Sequence, residues 1–413
     1  MDLRGKHILV FGAGKSGIGA ADLLSQVGAC PVLYDEKEDM DVEAVRNGLL
    51  MPDKVRIVHG KLPDEIIKET ELVVPSPGIS PEHPLIAGLA ASGIPVWGEI
   101  ELAYRLSKGM LLAITGTNGK TTTTSLAGAV VAASGADTHV VGNIGTPYTG
   151  EALKTTDESV TVAEISSFQL ETIHEFHPKV SAILNITEDH LNRHHTMEEY
   201  IRVKELITLN QTSDDVCVLN YEDPVLRSFG ETSCPAHVVF FSSARKLEEG
   251  LYLEDGFIVI RRDGEARRLI DTSKLMLPGV HNYENVMAAA AMCIYAGIPE
   301  KVVVRAALEF KPVPHRIEYV GIKSGALWYN DSKGTNPDAA IKGIEAMVRP
   351  TFLIAGGYDK GSDYSEWIRA FGGRVKKLVL EGKTRFDIRD AALREGFPEG
   401  DIVIFDDMNE DKD

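Results

Sequence analysis

A lysine directly after a glycine, where a strand turns into a helix, is a device for neutralising phosphate. Gly116-Thr117-Asn118-Gly119-Lys120-Thr121-Thr122 offers that device between an apolar run at 110–115 and a small-residue stretch reaching 134. Backbone N–H groups of such a loop cradle a polyphosphate, Lys120 supplies positive charge, and the Thr121 hydroxyl can hold Mg²⁺. The strict G-x-x-x-x-G-K-[ST] spacing is broken, because Ile114 stands where the first glycine belongs. The bland alternative is a turn with an incidental lysine at a helix start. Glu164 closes the run 160–164, and His190 follows the run 180–185. With Thr121 they could supply hard-cation ligands from three neighbouring strand ends. A carboxylate there can equally cap a helix, and a histidine can be an ordinary loop residue. Lys204 falls on the apolar stripe Met197, Tyr200/Ile201, Ile207 of an amphipathic helix. It either snorkels to water or is kept inside a site.

A second glycine loop, Gly12-Ala13-Gly14-Lys15-Ser16-Gly17, also lies between a strand and a helix, and Asp35 ends the next strand. Its glycines allow a tight turn, and the helix start presents free N–H groups to a phosphate. NAD is one reading, another nucleotide or diphosphate a second, and a structural turn a third. The short sheet that carries the loop argues against a dinucleotide. Ser76-Pro77-Gly78 follows another strand end on the same ligand edge. Further on, Asn282 is placed to cap an Ala-rich helix and Asn285 lies one turn along it. Arg316 sits in a Pro-rich joint, while Asp331, Lys333, Thr335 and Lys360 lie in polar loops after strands.

The elements that must position these residues alternate β and α, which argues parallel sheets with helices on their faces. Strands are expected at 7–11, 31–34, 55–58, 72–74 and 94–97 in a first unit. A second unit starts near residue 98, with strands at 110–115, 160–164 and 180–185 and a β-rich stretch over 215–265. A third follows the joint at 311–315, with strands at 327–329, 351–355, 377–380 and 401–405. The composition is that of a globular chain, 44% hydrophobic and 25% charged. With 43 Lys and Arg against 61 Asp and Glu, the net charge of −18 disfavours non-specific nucleic-acid binding. Four cysteines without a C-x-x-C pair fit a reducing compartment and provide no metal framework. No apolar run reaches the roughly 18 residues that span a bilayer, and the start of the chain lacks a signal-peptide core. The expectation is a soluble, cytoplasmic protein.

Taken as an ordered set, Gly-Thr-Asn-Gly-Lys-Thr, Glu-Ile-Ser-Ser-Phe-Gln-Leu-Glu, Thr-Glu-Asp-His-Leu, His-Asn-x-x-Asn, Pro-His-Arg and Asn-Asp-Ser-Lys-Gly-Thr-Asn resemble the Mur ligases, ATP-dependent amide ligases of peptidoglycan precursor synthesis. The resemblance covers nearly the whole chain. It implies three α/β domains: a Rossmann-like UDP-substrate domain at 1–98, a central ATP-binding domain at 99–311 with a P-loop ATPase-type, mostly parallel sheet, and a Rossmann-like amino-acid domain at 312–413. It implies that Lys15, Ser16, Asp35, Glu36, Ser76, Pro77, Gly78 and Asn143 hold the UDP-substrate. Gly116, Thr117, Asn118, Gly119, Lys120, Thr121 and Thr122 would hold ATP phosphates, with Asn285, Arg316 and Asp331 also on ATP. Thr121 and Glu164 would bind one Mg²⁺, and His190 with a carbamylated Lys204 a second. Lys120, Glu164, His190 and Lys204 form the implied catalytic set, and Lys333, Thr335 and Lys360 would meet D-glutamate.

The implied substrates are UDP-N-acetylmuramoyl-L-alanine, D-glutamate and ATP, handled by a monomer with no nucleic-acid or membrane partner. The implied reaction proceeds through an acyl phosphate. A different amino acid on the same scaffold, or a nucleotide-binding protein without catalysis, are the alternatives; an NAD-dependent oxidoreductase would leave Gly116–Thr122 unused. Two departures stand out: Asn192 where the family often has Asp, and Gly334 where it usually has Ala. The family also continues for some tens of residues with a Ser-rich loop near D-glutamate, so the third domain is expected to be incomplete here.

Overall fold

Short β-branched runs and Ala- and Leu-rich amphipathic stretches alternate along the first hundred residues, and all but the run at 94–97 become elements. The computed structural model describes residues 2–143, 146–277, 279–311, 317–335, 337–347, 349–357 and 363–405. Contacts divide the chain into two compact units, Met1–Leu275 with Glu284–Phe310, and Met276–Tyr283 with Lys311–Asp413.

In the first unit, β1 (His7–Phe11), β2 (Cys30–Asp35), β3 (Arg56–His59) and β4 (Leu72–Pro75) form a parallel sheet in the order 3-2-1-4. Strand order reverses beside β1, so the loops after β1 and β4 flank a switch point, the usual place for a ligand in such sheets. The helix Lys15–Gln26 buries Ala20, Ala21, Leu23 and Leu24, which join Ile8, Val10 and Leu33 in one core. The fifth strand expected at 94–97 is only a single bridge, Val73 to Val96. Pro95 explains this: it has no N–H to extend the ladder.

The second sheet has nine strands: β5 (Met110–Thr115), β6 (Thr138–Gly142), β7 (Val160–Glu164), β8 (Val180–Ile183), β9 (Val216–Asn220), β10 (His237–Ser242), β11 (Gly250–Glu254), β12 (Phe257–Arg262) and β13 (Glu265–Asp271). Their order is 13-12-11-10-9-8-5-7-6. From β6 across to β11 the pairing is parallel, and β12 and β13 close the edge antiparallel. β5 lies between β7 and β8, with Ile114 level with both Glu164 and Ala182. The loops after these three strands therefore emerge side by side.

The second unit carries a hairpin, β14 (Glu318–Lys323) and β15 (Ala326–Asn330), and a parallel sheet of β16 (Thr351–Gly357), β17 (Val375–Gly382) and β18 (Ile402–Ile404). The run 327–329, expected within the third α/β sheet, pairs instead with 318–323. A core of Ile344, Trp367, Ile368, Phe371, Leu378 and Leu380 packs the parallel sheet. Among the described residues no helix is long and apolar enough to cross a membrane.

Candidate active site

The loop after β5 is shaped by two glycines. Gly116 has φ +146° and abuts Leu184; Gly119 has φ +86°, and a methyl group on it would lie 2.2 Å from Asn285 Oδ1. Both need glycine, for conformation and for space. The loop is then pinned to the strand-end segment after β8. Thr117 N donates to Asn185 O at 2.9 Å, Asn118 N to Asn185 Oδ1 at 2.8 Å, and Thr187 N to Thr117 Oγ1 at 3.0 Å. Thr117 Oγ1 also lies 3.2 Å from Tyr200 Oη. The helix Lys120–Ala133 starts directly behind, with Thr121, Thr122, Thr123 and Thr124 all buried. Thr123 Oγ1 reaches Asn285 Oδ1 at 3.4 Å, so Asn285 sits against the loop itself.

Two lysines converge on one carbonyl. Lys120 Nζ donates to Gly116 O and Thr117 O, both at 2.8 Å, and Lys204 Nζ donates to Gly116 O at 2.9 Å. Lys204 is 1% exposed, so its side chain does not snorkel to water. Burial, with the neighbouring Lys120 charge, holds its ammonium pKa well below the ordinary lysine value, against a smaller opposing pull from Asp189. The shift favours the uncharged form of Lys204 relative to an exposed lysine, and an uncharged amine is the form that adds to CO₂ to give a carbamate.

Glu164 ends β7 and is 1% exposed. Asn143 Nδ2 donates to its Oε1 at 3.1 Å, while Oε2 is buried without a hydrogen-bond partner. An unpaired buried carboxylate oxygen costs free energy unless a cation or proton satisfies it. This orphaned oxygen beside the phosphate loop fits a Mg²⁺ held with Thr121. His190 follows β8 at φ +55°; its ring packs on Phe168 at 4.9 Å between centroids, and Nε2 is 3.6 Å from Asp189. Four residues further, His194 is buried between Phe168 and Tyr200, and burial lowers its pKa to about 4. Among the described residues no three His, Cys, Asp or Glu side chains gather as a metal cluster.

The glycine loop after β1 is tighter. Gly12 has φ +104°, and a methyl on Gly17 would fall 1.8 Å from Gly12 O. Ala13 N donates to Asp35 Oδ2 at 3.0 Å, Lys37 N to Asp35 Oδ1 at 3.1 Å, and Ser76 Oγ to Gly12 O at 3.1 Å. The structure thus brings Gly12–Gly17, Asp35 and Ser76 together. Lys15, Glu36 and Gly78 face solvent, and Ser16 and Pro77 are half-buried. Glu36 pairs with His83 at 3.2 Å. Asn143 is exposed and bonded to Glu164.

In the second unit, Asp331 Oδ1 accepts from Ile317 N at 3.1 Å, and Lys333 and Thr335 are exposed in the loop after β15. Arg316 and Lys360 lie outside the described residues. Sequence reasoning missed Asn185, Gln169, Glu171, Arg193 and Glu99. Gln169 Nε2 donates to the buried Glu99 at 3.2 Å while its Oε1 caps Ser166, tying the segment after Glu164 to the helix Glu99–Leu106. Gln169 stands inside the Glu-Ile-Ser-Ser-Phe-Gln-Leu-Glu motif and Asn185 just before Thr-Glu-Asp-His-Leu, but their partners, Glu99 and Asn118, lie tens of residues away.

Family profiles match three stretches of the chain: a Mur ligase MurD-like N-terminal domain at 6–98, a Mur ligase middle domain at 114–293, and a Mur ligase glutamate ligase domain at 315–411. The chain is 54% identical over 398 residues to the UDP-N-acetylmuramoylalanine–D-glutamate ligase of Lachnospira eligens, covering 96% of this chain and 88% of that protein. It is 50% identical to the enzyme of the same name from Lachnoclostridium phytofermentans, covering 99% and 90%. Among solved structures, UDP-N-acetylmuramate–alanine ligase from Thermotoga maritima aligns with a TM-score of 0.60 at 19% identity, over 98% of this chain and 91% of that one. A MurF ligase from the same organism, in complex with ADP, aligns with a TM-score of 0.56 at 18% identity, over 98% and 91%; these two likenesses concern the fold.

Proposed function

The chain belongs to the Mur ligase family, with its three-domain α/β fold, and from that premise we propose that it joins D-glutamate to UDP-N-acetylmuramoyl-L-alanine at the expense of ATP. The observation that carries the chemistry is the convergence of Lys120 and Lys204 on Gly116 O beside the orphaned Glu164 oxygen. The amino acid rests on relatives 43–54% identical that bear that activity in their names. We assign residues 1–98 to the UDP-substrate, 99–311 to ATP and 312–413 to the amino acid.

The L-alanyl carboxylate attacks the γ-phosphorus of ATP, and ADP leaves. The D-glutamate amine then attacks the acyl phosphate, and phosphate leaves as the amide forms. Thr121 and Glu164 are the residues that would hold one Mg²⁺, and His190 with a carbamylated Lys204 a second. Bound there, Mg²⁺ supplies positive charge to phosphoryl oxygens. Loop N–H groups of Gly116–Thr122 and the Lys120 ammonium bind the transferring phosphates in a water-poor site, where fixed charge is worth most. Asn285 braces that loop. Lys15, Ser16, Asp35, Glu36, Ser76, Pro77, Gly78 and Asn143 hold the UDP-substrate; Arg316 and Asp331 complete the ATP contacts; Lys333, Thr335 and Lys360 receive D-glutamate. The reading is of a cytoplasmic monomer that acts on small molecules, without nucleic acid or membrane.

Phosphate release measured with ATP and UDP-N-acetylmuramoyl-L-alanine, screened over D-glutamate, L-amino acids and diamino acids, tests it. Turnover with D-glutamate is expected. Turnover confined to another amino acid would reassign the third domain, and nucleotide binding without turnover would remove the ligase reading.

A further inference from the structure

One side chain ties the turn after β4 to the segment that carries His190. Arg193, in the short helix Leu191–His194, grips Glu171 through Nε at 3.2 Å and Nη2 at 2.5 Å. Its other face donates from Nη1 to Gly78 O at 3.4 Å and from Nη2 to Ile79 O at 3.1 Å. The guanidinium lies over the Phe168 ring, 5.0 Å from its centroid, and the same ring packs on His190. The Arg193 and Glu171 side chains are only 14% and 11% exposed. A second bridge between these regions, His195 to Glu82 at 3.2 Å, is solvent-exposed at both ends and contributes little rigidity.

We propose that Arg193, held by Glu171, is a positioning residue that sets the reach of the bound UDP-substrate toward the transferring phosphate. The inference rests on the assignment of Ser76–Gly78 to the UDP-substrate and of His190 to the phosphate side. A planar guanidinium can satisfy a carboxylate and two carbonyls at once, in fixed directions; an ammonium on a flexible stem cannot. The fork therefore holds the substrate turn in register with the His190 segment. A displacement of about 1 Å between reacting groups costs roughly 10²-fold in rate.

Steady-state kinetics of Arg193→Met, Arg193→Lys and Glu171→Gln test this, with ADP affinity measured alongside. Arg193→Met is expected to lower kcat on the order of 10²-fold and to raise KM for the UDP-substrate about tenfold, the scale of lost hydrogen bonds to a charged group. ADP affinity should stay within about twofold, because the clasp touches neither the Gly116–Thr122 loop nor Asn285. Arg193→Lys should recover part of the kcat loss. Glu171→Gln, which keeps shape and one acceptor, should show the same split more weakly, and serves if Arg193→Met does not fold. A lower melting temperature with unchanged kcat and KM would make the clasp merely structural and overturn the proposal. Equal loss of ADP and UDP-substrate binding would overturn it too. Ser76→Ala separates the two levels. If it leaves KM for the UDP-substrate unchanged, the substrate-turn assignment fails; if it raises KM while Arg193→Met is silent, the clasp alone fails.

Discussion

Gly12–Gly17 and Gly116–Thr122 follow the same path, from strand to glycine turn to helix, but are filled differently. In the first, tightness is backbone against backbone: the Gly17 α-carbon faces Gly12 O so closely that no side chain fits. Its charges, Lys15 and Glu36, sit at the exposed surface, Glu36 beside His83, and the carboxylate nearest the turn, Asp35, is spent on backbone N–H groups. In the second, side chains fill the turn's interior. Lys120 and Lys204 share one carbonyl, four threonines are buried behind it, and Asn285 presses on Gly119. The substrate-holding role proposed for the first loop needs shape and accessible charge. A site that transfers phosphate needs charge fixed out of water, since only there does it act on the transition state without reorganisation.

The most direct way to break this contrast is Lys120→Met. It should lower kcat roughly 10²- to 10³-fold, the range of a lost oxyanion donor, with KM for the UDP-substrate unchanged. Near-normal turnover would put the two loops in one class. Next in size is Lys204→Ala, with an expected loss of about 10²-fold by the same comparison. Short-chain carboxylates added to the assay should restore part of the activity by replacing a carbamate. A loss that no carboxylate relieves would reduce Lys204 to a donor for Gly116 O, and the second loop would have one functional lysine rather than two.

Much of this contrast was legible in residue order. Strand–glycine–helix context located both loops, and the strands at 7–11, 72–75, 110–115 and 160–164 lie within a residue of expectation because each is a short apolar run bounded by turn formers. Lys204 on an apolar stripe left two readings, and only the fold could choose, since the Gly116 carbonyl that receives it lies 88 residues away. Pro95 was a readable warning against a strand at 94–97. Arg193 was not readable, and Glu171, though it closes the Glu-Ile-Ser-Ser-Phe-Gln-Leu-Glu motif, gave no hint of its partner: an arginine in a histidine-rich loop carries no pattern, and its meaning comes from Gly78 and Ile79, more than a hundred residues earlier. The hairpin 318–330 was half missed for a similar reason. Its first strand exposes Val320 and Ile322, so it lacks the buried-face alternation that marks a strand.

A glycine pair sharpens the account of the first loop. Gly17→Ala puts a methyl 1.8 Å from Gly12 O, so the backbone must move; overpacking of this kind costs about 1–3 kcal/mol. A lower melting temperature and a roughly tenfold higher KM for the UDP-substrate are expected, the latter being what about 1.4 kcal/mol of lost binding amounts to. Gly14→Ala meets nothing within 4 Å and should leave the melting temperature unchanged. If both variants behave alike in calorimetry and kinetics, backbone shape is not what the first loop contributes.

The smallest expected effect bears on the acidic residue that invited a dinucleotide reading. Asp35 accepts from Ala13 N through one oxygen and from Lys37 N through the other. Asparagine has the same shape but only one acceptor oxygen, so in Asp35→Asn one of those N–H groups must face an NH₂ group and lose its partner. The net loss of one part-exposed hydrogen bond to a charged group is about 1 kcal/mol, which is roughly fivefold in binding. That loss should fall on KM for the UDP-substrate alone, since the Asp35 carboxylate touches the first loop and none of the groups around Gly116. Both kcat and ADP affinity should hold. Isothermal titration with the UDP-substrate and, separately, with NADH gives the reading: weakened UDP-substrate binding and no NADH heat in either protein is the expected pattern. NADH binding by the parent chain that Asp35→Asn abolishes would mean the carboxylate reads a ribose, and the first loop would then be a cofactor site rather than a substrate holder.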